Sequence, residues 1–213
     1  MILALAMPPV FAAEPQVATE EEKVLYTIGL ALSRSSSRFA LSEAEFEVVK
    51  LGFTDGVLHR KEKVRFEDYI PKVSDLANRR TNATVALERT TGEAYRQRAL
   101  TEPGARQTAS GLVVIPLKPG SGATPTATNR VKLHYEGRTL DGAIFDSTKT
   151  GLPLNVVVGT ARVECLVEGV QLLKAGGKSR IICPPELTEG LASPMIKPGA
   201  TLVYTIELEE IVN

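Results

Sequence analysis

Tryptophan is absent from this chain of 213 residues, so no pocket in it can be floored by an indole ring. The two histidines, His59 and His134, stand in no cluster of other ligand residues, which argues against a metal site. Charge of either sign is not in excess. Lys+Arg and Asp+Glu each total 25, leaving no bulk electrostatic footprint for nucleic acid. Long apolar runs are missing too, and the apolar stretch at residues 1–13 is too short to cross a bilayer. It ends in Val10-Phe-Ala-Ala13, a small-residue cleavage pattern, yet the first cation is Lys23, so a basic leading region is lacking. We read residues 1–13 as a signal peptide whose beginning is missing. That implies export to a periplasm or cell exterior and leaves membrane association open.

What is present describes a soluble globular protein. Hydrophobic residues make up 43% and charged residues 23%, and the length suits one large domain or two small ones. Glu20-Glu-Glu-Lys-Val-Leu-Tyr-Thr-Ile-Gly-Leu-Ala-Leu32 carries Leu25, Ile28 and Leu32 on one helical face, with acids at the positive end of the helix dipole. Ser35-Ser-Ser37 interrupts it. Ser42 and Glu45 form a capping box, and Leu41 and Phe46 have hydrophobic-staple spacing, so a second helix starts there and ends near His59. Residues 66–100 predict a third, long helix in which Pro71 fits only the first turn or a kink, and Thr90-Thr-Gly92 is a weak point. Three amphipathic helices of this length cannot bury much apolar surface alone, and a second copy of the chain is the simplest partner.

The second half changes character. Residues 101–111 are rich in turn formers and read as a junction. Strands are predicted at 112–117, 131–138, 144–147, 154–158, 178–184 and 201–211, with one helix at 167–174 ended by Gly176-Gly177. The centrepiece is Val131-Lys-Leu-His-Tyr-Glu-Gly-Arg138, whose apolar and polar residues alternate, followed by the turn dipeptide Asp141-Gly142 and the extended Ala143-Ile-Phe-Asp146. Gly177-Lys-Ser179 resembles the end of a phosphate-binding loop, but Leu172 stands where glycine is needed and a strand follows, so that reading is rejected.

In order and spacing, Val131–Ser147, Glu168-Gly-Val-Gln-Leu-Leu-Lys-Ala-Gly-Gly177 and Gly199-Ala-Thr-Leu-Val-Tyr204 resemble the FKBP-type peptidyl-prolyl isomerase domain, over residues 111–212. The layout before it is similar to the N-terminal dimerisation region of macrophage infectivity potentiator-like proteins, through Leu25-Tyr-Thr-Ile-Gly-Leu-Ala-Leu32 and Gly52-Phe-Thr-Asp-Gly-Val-Leu58. The resemblance implies an α+β fold, an antiparallel sheet wrapped on a short helix and preceded by an all-α domain. It divides the chain into a helical dimerisation domain at 20–64, a long connecting helix at 65–101 and an isomerase domain at 102–213.

The resemblance also implies a pocket. Tyr135, Phe145 and Asp146 match the family through His-Tyr-Glu-Gly and Ile-Phe-Asp-Ser; Val163 matches an aliphatic residue whose backbone meets the ligand; Ile196 and Tyr204 match the apolar far wall. Leu154 replaces a usual aromatic, Leu166 stands in place of the tryptophan floor, and Glu189 stands where a hydrogen-bonding tyrosine is expected. Plain core packing is the alternative account of Tyr135, Phe145 and Tyr204. No cofactor is implied, because rotating an X–Pro bond needs an apolar cavity rather than an acid, base or nucleophile. The expected partners are proline-containing unfolded or folding polypeptides and a second copy of the chain. Two functions follow: a homodimeric exported prolyl isomerase of reduced activity, or a chaperone of the same architecture with little catalysis. Cys165 and Cys183 would fall on the short helix and on a central strand beneath the pocket. There they are either small core residues or, after export, a disulfide.

Overall fold

The structure, a computed structural model, describes residues 16–191 and 193–212. The signal-peptide reading of residues 1–13 lies outside the described residues. Helix α1 spans Glu20–Ser36 and is opened by a capping box the sequence reading passed over, between Thr19 and Glu22. It ends within the serine cluster as expected, at Ser36, where the hydroxyls of Ser33, Ser36 and Ser37 donate back to carbonyls one turn earlier and a 3-10 turn, Ser37–Phe39, takes over. Helix α2 spans Glu43–Val57 behind the Ser42–Glu45 capping box, and Leu58 and His59 end it, the latter with positive φ. Helix α3, Phe66–Ala99, takes Pro71 in its second turn rather than its first and continues through Gly92.

The second half is an antiparallel sheet: β1 Arg106–Gln107, β2 Val113–Lys118, β3 Arg130–Arg138, β4 Ile144–Ser147, β5 Leu154–Val157, β6 Lys178–Cys183 and β7 Leu202–Val212. The order is β1-β2-β6-β7-β3-β4, with β5 also pairing β3. The short β1 falls inside the predicted junction. The fold is α+β. Helix α4 occupies Glu164–Val170, three residues earlier than predicted, and 3-10 turns at Val158–Thr160 and Pro185–Thr188 add to the single helix expected in this half. The apolar run through Leu172 and Leu173 looked helical, but after Val170 the chain closes tight turns, Leu172 N–H to Gly169 and Leu173 N–H to Val170.

Strand alternation sorts side chains onto two faces. On one, Val114, Leu133, Ile181, Leu202, Tyr204, Ile206 and Leu208 bury themselves against α4 through Cys165, Leu166 and Val170. On the other, Val113, Ile115, Ile182 and Val203 are covered by Tyr95, Ala99 and Leu100 from the end of α3 and the turn after it. The sheet is therefore a middle layer, and the long helix supplies one of its two covers.

Candidate functional site

Tyr135 on β3, Phe145 on β4 and Tyr204 on β7 converge because Gly137 pairs with both Tyr204 and Asp146 across the strands. A Cβ at Gly137 would lie 2.6 Å from Phe145 Cζ and 2.8 Å from Tyr204 Cε1, so only glycine lets the rings meet over this strand. Phe145 stands edge-on to Tyr204, with centroids 5.6 Å apart and an interplanar angle of 89°. Tyr135 is tilted against Tyr204 at 6.1 Å. Both are favourable aromatic geometries. Tyr204 is sealed at the base, 1% exposed, while Tyr135 and Phe145 are half-buried.

The Tyr135 hydroxyl donates to Asp146 Oδ2 at 2.6 Å, which fixes the ring and caps that carboxylate. Burial, then this hydrogen bond, raises the Tyr135 phenol above its ordinary range. Burial raises Tyr204 likewise. Both phenols stay protonated at neutral pH. Thr148 braces the strand from behind: its hydroxyl accepts the Tyr135 N–H at 2.9 Å, and its own N–H donates to the Tyr135 carbonyl at 3.0 Å. Nothing in the sequence pattern singled out Thr148, and the role of Gly137 shows only in the cross-strand distances.

The remaining residues divide into two groups. Leu154 and Leu166 face a small apolar hollow of about 20 Å³ shared with Val131, Leu133, Val158 and Val170. Leu166 is 9% exposed, so it is part of the core as much as a floor. Val163 is the extended residue before α4; its carbonyl accepts from Leu166 and Val167. Glu189 and Ile196 instead line an open groove of about 880 Å³ between the loop at 185–200 and α3, where Arg89, Pro185 and Gly199 also lie. Glu189 is exposed. Ile196 additionally packs on the core cluster that holds Tyr135 and Phe145. Cys165 and Cys183 are both 0% exposed and are bonded through sulfur, with Cα atoms 5.8 Å apart. The bridge ties the start of α4 to the end of β6.

Residues 122–209 match the family model described as FKBP-type peptidyl-prolyl cis-trans isomerase. The FKBP-type 22 kDa peptidyl-prolyl cis-trans isomerase of Escherichia coli is 30% identical over 92% of this chain and 98% of its own. The chain belongs to the FKBP-type peptidyl-prolyl cis-trans isomerases. FkpA of Escherichia coli is 28% identical over 99% of this isomerase and 87% of the relative. Its crystal structure superposes with a TM-score of 0.67 at 25% identity, covering 92% of this chain and 98% of that one. The outer membrane protein MIP of Legionella longbeachae is 28% identical over 97% of this chain and 93% of its own. The isomerase thus assists protein folding by interconverting X–Pro bonds, and its all-α segment precedes the catalytic fold.

Proposed function

We propose that the aromatic cleft of Tyr135, Phe145 and Tyr204, with Asp146 at its mouth, is the isomerisation site of an exported homodimer. The observation that carries this reading is the set of three rings held together over Gly137, with the Tyr135 hydroxyl bonded to Asp146. Rotation about a peptide bond faces a barrier of roughly 18–20 kcal/mol, and the uncatalysed X–Pro step takes about 10–100 s. The twisted imide has lost amide resonance and is less polar than the planar one. An apolar, uncharged cavity therefore binds it better, and that difference is the catalysis. Both phenols are protonated at neutral pH and add no charge to the cavity. Val163 presents backbone to the substrate, Glu189 and Ile196 form the outer wall on the side of the open groove, and Leu154 and Leu166 back the cleft from the core.

Two features support a slower enzyme than the family norm. Leucine at 166 offers no flat ring, and an ionised Glu189 can only accept hydrogen bonds, so it cannot donate to a substrate carbonyl as tyrosine does. These same features favour the second reading, a dimeric chaperone with weak catalysis. The homodimer reading rests on α1 and α2, where apolar side chains such as Leu25, Ile28, Phe46 and Phe53 are exposed. The export reading draws on the apolar residues 1–13 and on the bridge of Cys165 and Cys183, since disulfides persist in oxidising compartments.

The deciding experiment measures proline-limited refolding of one protein and aggregation of a second whose folding does not depend on proline. Gly137→Ala, which drives a methyl into Phe145 and Tyr204, should cut proline-limited catalysis at least about tenfold and leave aggregation suppression intact. A folded Gly137→Ala protein that isomerises at the parental rate would place the site elsewhere. A parent that suppresses aggregation but barely accelerates the proline step selects the chaperone reading.

A further inference from the structure

One edge of α3 is built to grip the loop that walls the candidate cleft. Val85, Glu88, Gly92 and Arg96 recur at helical spacing, with Arg89 beside Glu88, and each of these five meets residues 185–201. Arg89 Nη1 pairs with Glu186 Oε1 at 2.9 Å, and Glu88 Oε1 pairs with Lys197 Nζ at 2.9 Å. These two contacts come from adjacent helix residues and bracket the segment 187–196, which carries Glu189 and Ile196. Deeper in, Arg96, 9% exposed, donates from Nη1 to the hydroxyl of buried Thr201 at 2.8 Å and pairs through Nη2 with Glu93.

Two glycines record how closely the parts meet. A Cβ at Gly92 would lie 2.1 Å from Thr201 Oγ1, and one at Gly199 would lie 3.1 Å from Val85 Cα. Thr201 directly precedes β7, the strand that holds Tyr204 at the base of the cleft. Lys197 also borders a second hollow of about 250 Å³ with Glu88 and with Asp141 of the β3–β4 turn, so helix, loop and turn converge on one cation.

We infer that α3 is a positioning element of the isomerase: its Val85–Arg96 edge holds residues 187–191 and 193–196 at the width that admits substrate. This rests on the assignment of Glu189 and Ile196 to the cleft wall. Because the edge touches the wall and not the rotating bond, its loss acts on substrate binding rather than on the bound-state step.

The test uses full-length protein and a short proline peptide, with two variants. Gly92→Ala wedges the helix away from Thr201. Lys197→Gln removes the cation between Glu88 and Asp141 at a side chain that is 66% exposed. KM should rise about three- to tenfold in Gly92→Ala and about two- to threefold in Lys197→Gln, with kcat within about twofold of the parent. Salt should raise KM more in the parent than in Lys197→Gln, where only the exposed Arg89–Glu186 pair remains to be screened. Amide hydrogen exchange across 187–196 should accelerate in both variants. Unchanged exchange in a folded Lys197→Gln protein overturns the inference, whether or not Gly92→Ala folds. Faster exchange with a parental KM overturns instead the placing of Glu189 and Ile196 in the cleft wall.

Discussion

The two halves of this chain contain similar kinds of apolar residue and use them in opposite ways. From β2 to β7 most apolar side chains are internal, with exceptions such as Leu117 and Leu152, and Val113, Val131, Ile181, Ile182, Leu202, Ile206 and Leu208 have no measurable exposure. In α1 and α2 they are external: α1 has no buried residue, and α2 buries only Asp55, beside Lys63. Among the described residues the first buried apolar side chain is Ala77, more than halfway along the helical region. A sheet with a helical cover on each face closes its own core. A helical pair laid along a third helix does not, and its apolar faces require something else to cover them. Helix α3 belongs to both regimes, with Phe66, Tyr69 and Ile70 exposed at one end and Gly92, Arg96 and Ala99 buried at the other.

The most drastic way to break this comparison is to remove the exposed half. Full-length protein should be a dimer at micromolar concentration, whereas a fragment beginning at Val85 should be a folded monomer by light scattering and circular dichroism. The cut belongs there, because a fragment starting at Thr101 would strip Tyr95 and Ala99 from Ile115 and Ile182. A monomeric full chain would mean that the exposed faces of α1 and α2 are not paired with those of a second copy.

Within the closed half, the bridge of Cys165 and Cys183 spans 18 residues. Replacing both cysteines by alanine should lower unfolding free energy by about 3 kcal/mol in urea titrations, with dimerisation unaffected. An equal effect on the dimer would show that the two halves are not independent. In the cleft, Glu189→Tyr adds a donor at an exposed site and should raise kcat/KM by about fivefold, the equivalent of one hydrogen bond near 1 kcal/mol. Leu166→Trp is not its counterpart. The hollow beneath Leu166 is about 20 Å³, so an indole there should overpack the core and cost about 1–3 kcal/mol of stability instead of raising the rate.

The smallest effect lies at the edge of the open half. The Arg80 guanidinium, then the Ser42 backbone N–H, hold the exposed Glu45 carboxyl at about 2. A carboxylate held low in the folded state stabilises it above the unfolded value near pH 4.3, and that contribution is lost as pH falls toward about 2. Glu45 of α2 is paired with Arg80 of α3, so acid should loosen α2 from α3 before the sheet unfolds. Hydrogen exchange near Glu45 should accelerate across that window in the parent, and Glu45→Gln should remove the pH dependence.

Much of the architecture was legible because it depends on short-range patterns. Alternation in Val131–Arg138 and Leu202–Leu208 marked the central strands, and Ser42 with Glu45 marked the start of α2 to the residue. The start of α4 was missed because Val163, a residue without a capping side chain, precedes it, and local signals carry no trace of the turns that follow Val170. In the cleft, motif order singled out Tyr135, Phe145, Asp146 and Tyr204, the four side chains that lie together. The same motif order listed Leu166 and Glu189 as neighbours in one pocket, whereas one faces the core and the other an open groove.

By itself, then, the sequence determined most of the strands and the three long helices, because hydrogen-bonding period and capping are properties of consecutive residues. It also determined that the helical half is short of a core, since its apolar residues sit on faces too narrow to cover one another. Only the tertiary structure decided which glycines are indispensable, because the Cβ excluded at Gly137 or Gly92 is excluded by atoms 67 and 109 residues away along the chain, those of Tyr204 and Thr201. It alone turned the connecting helix into a cover for the sheet and a clasp on the loop beside the cleft. Contacts of that range follow from how the strands order themselves in space, and no local pattern records them.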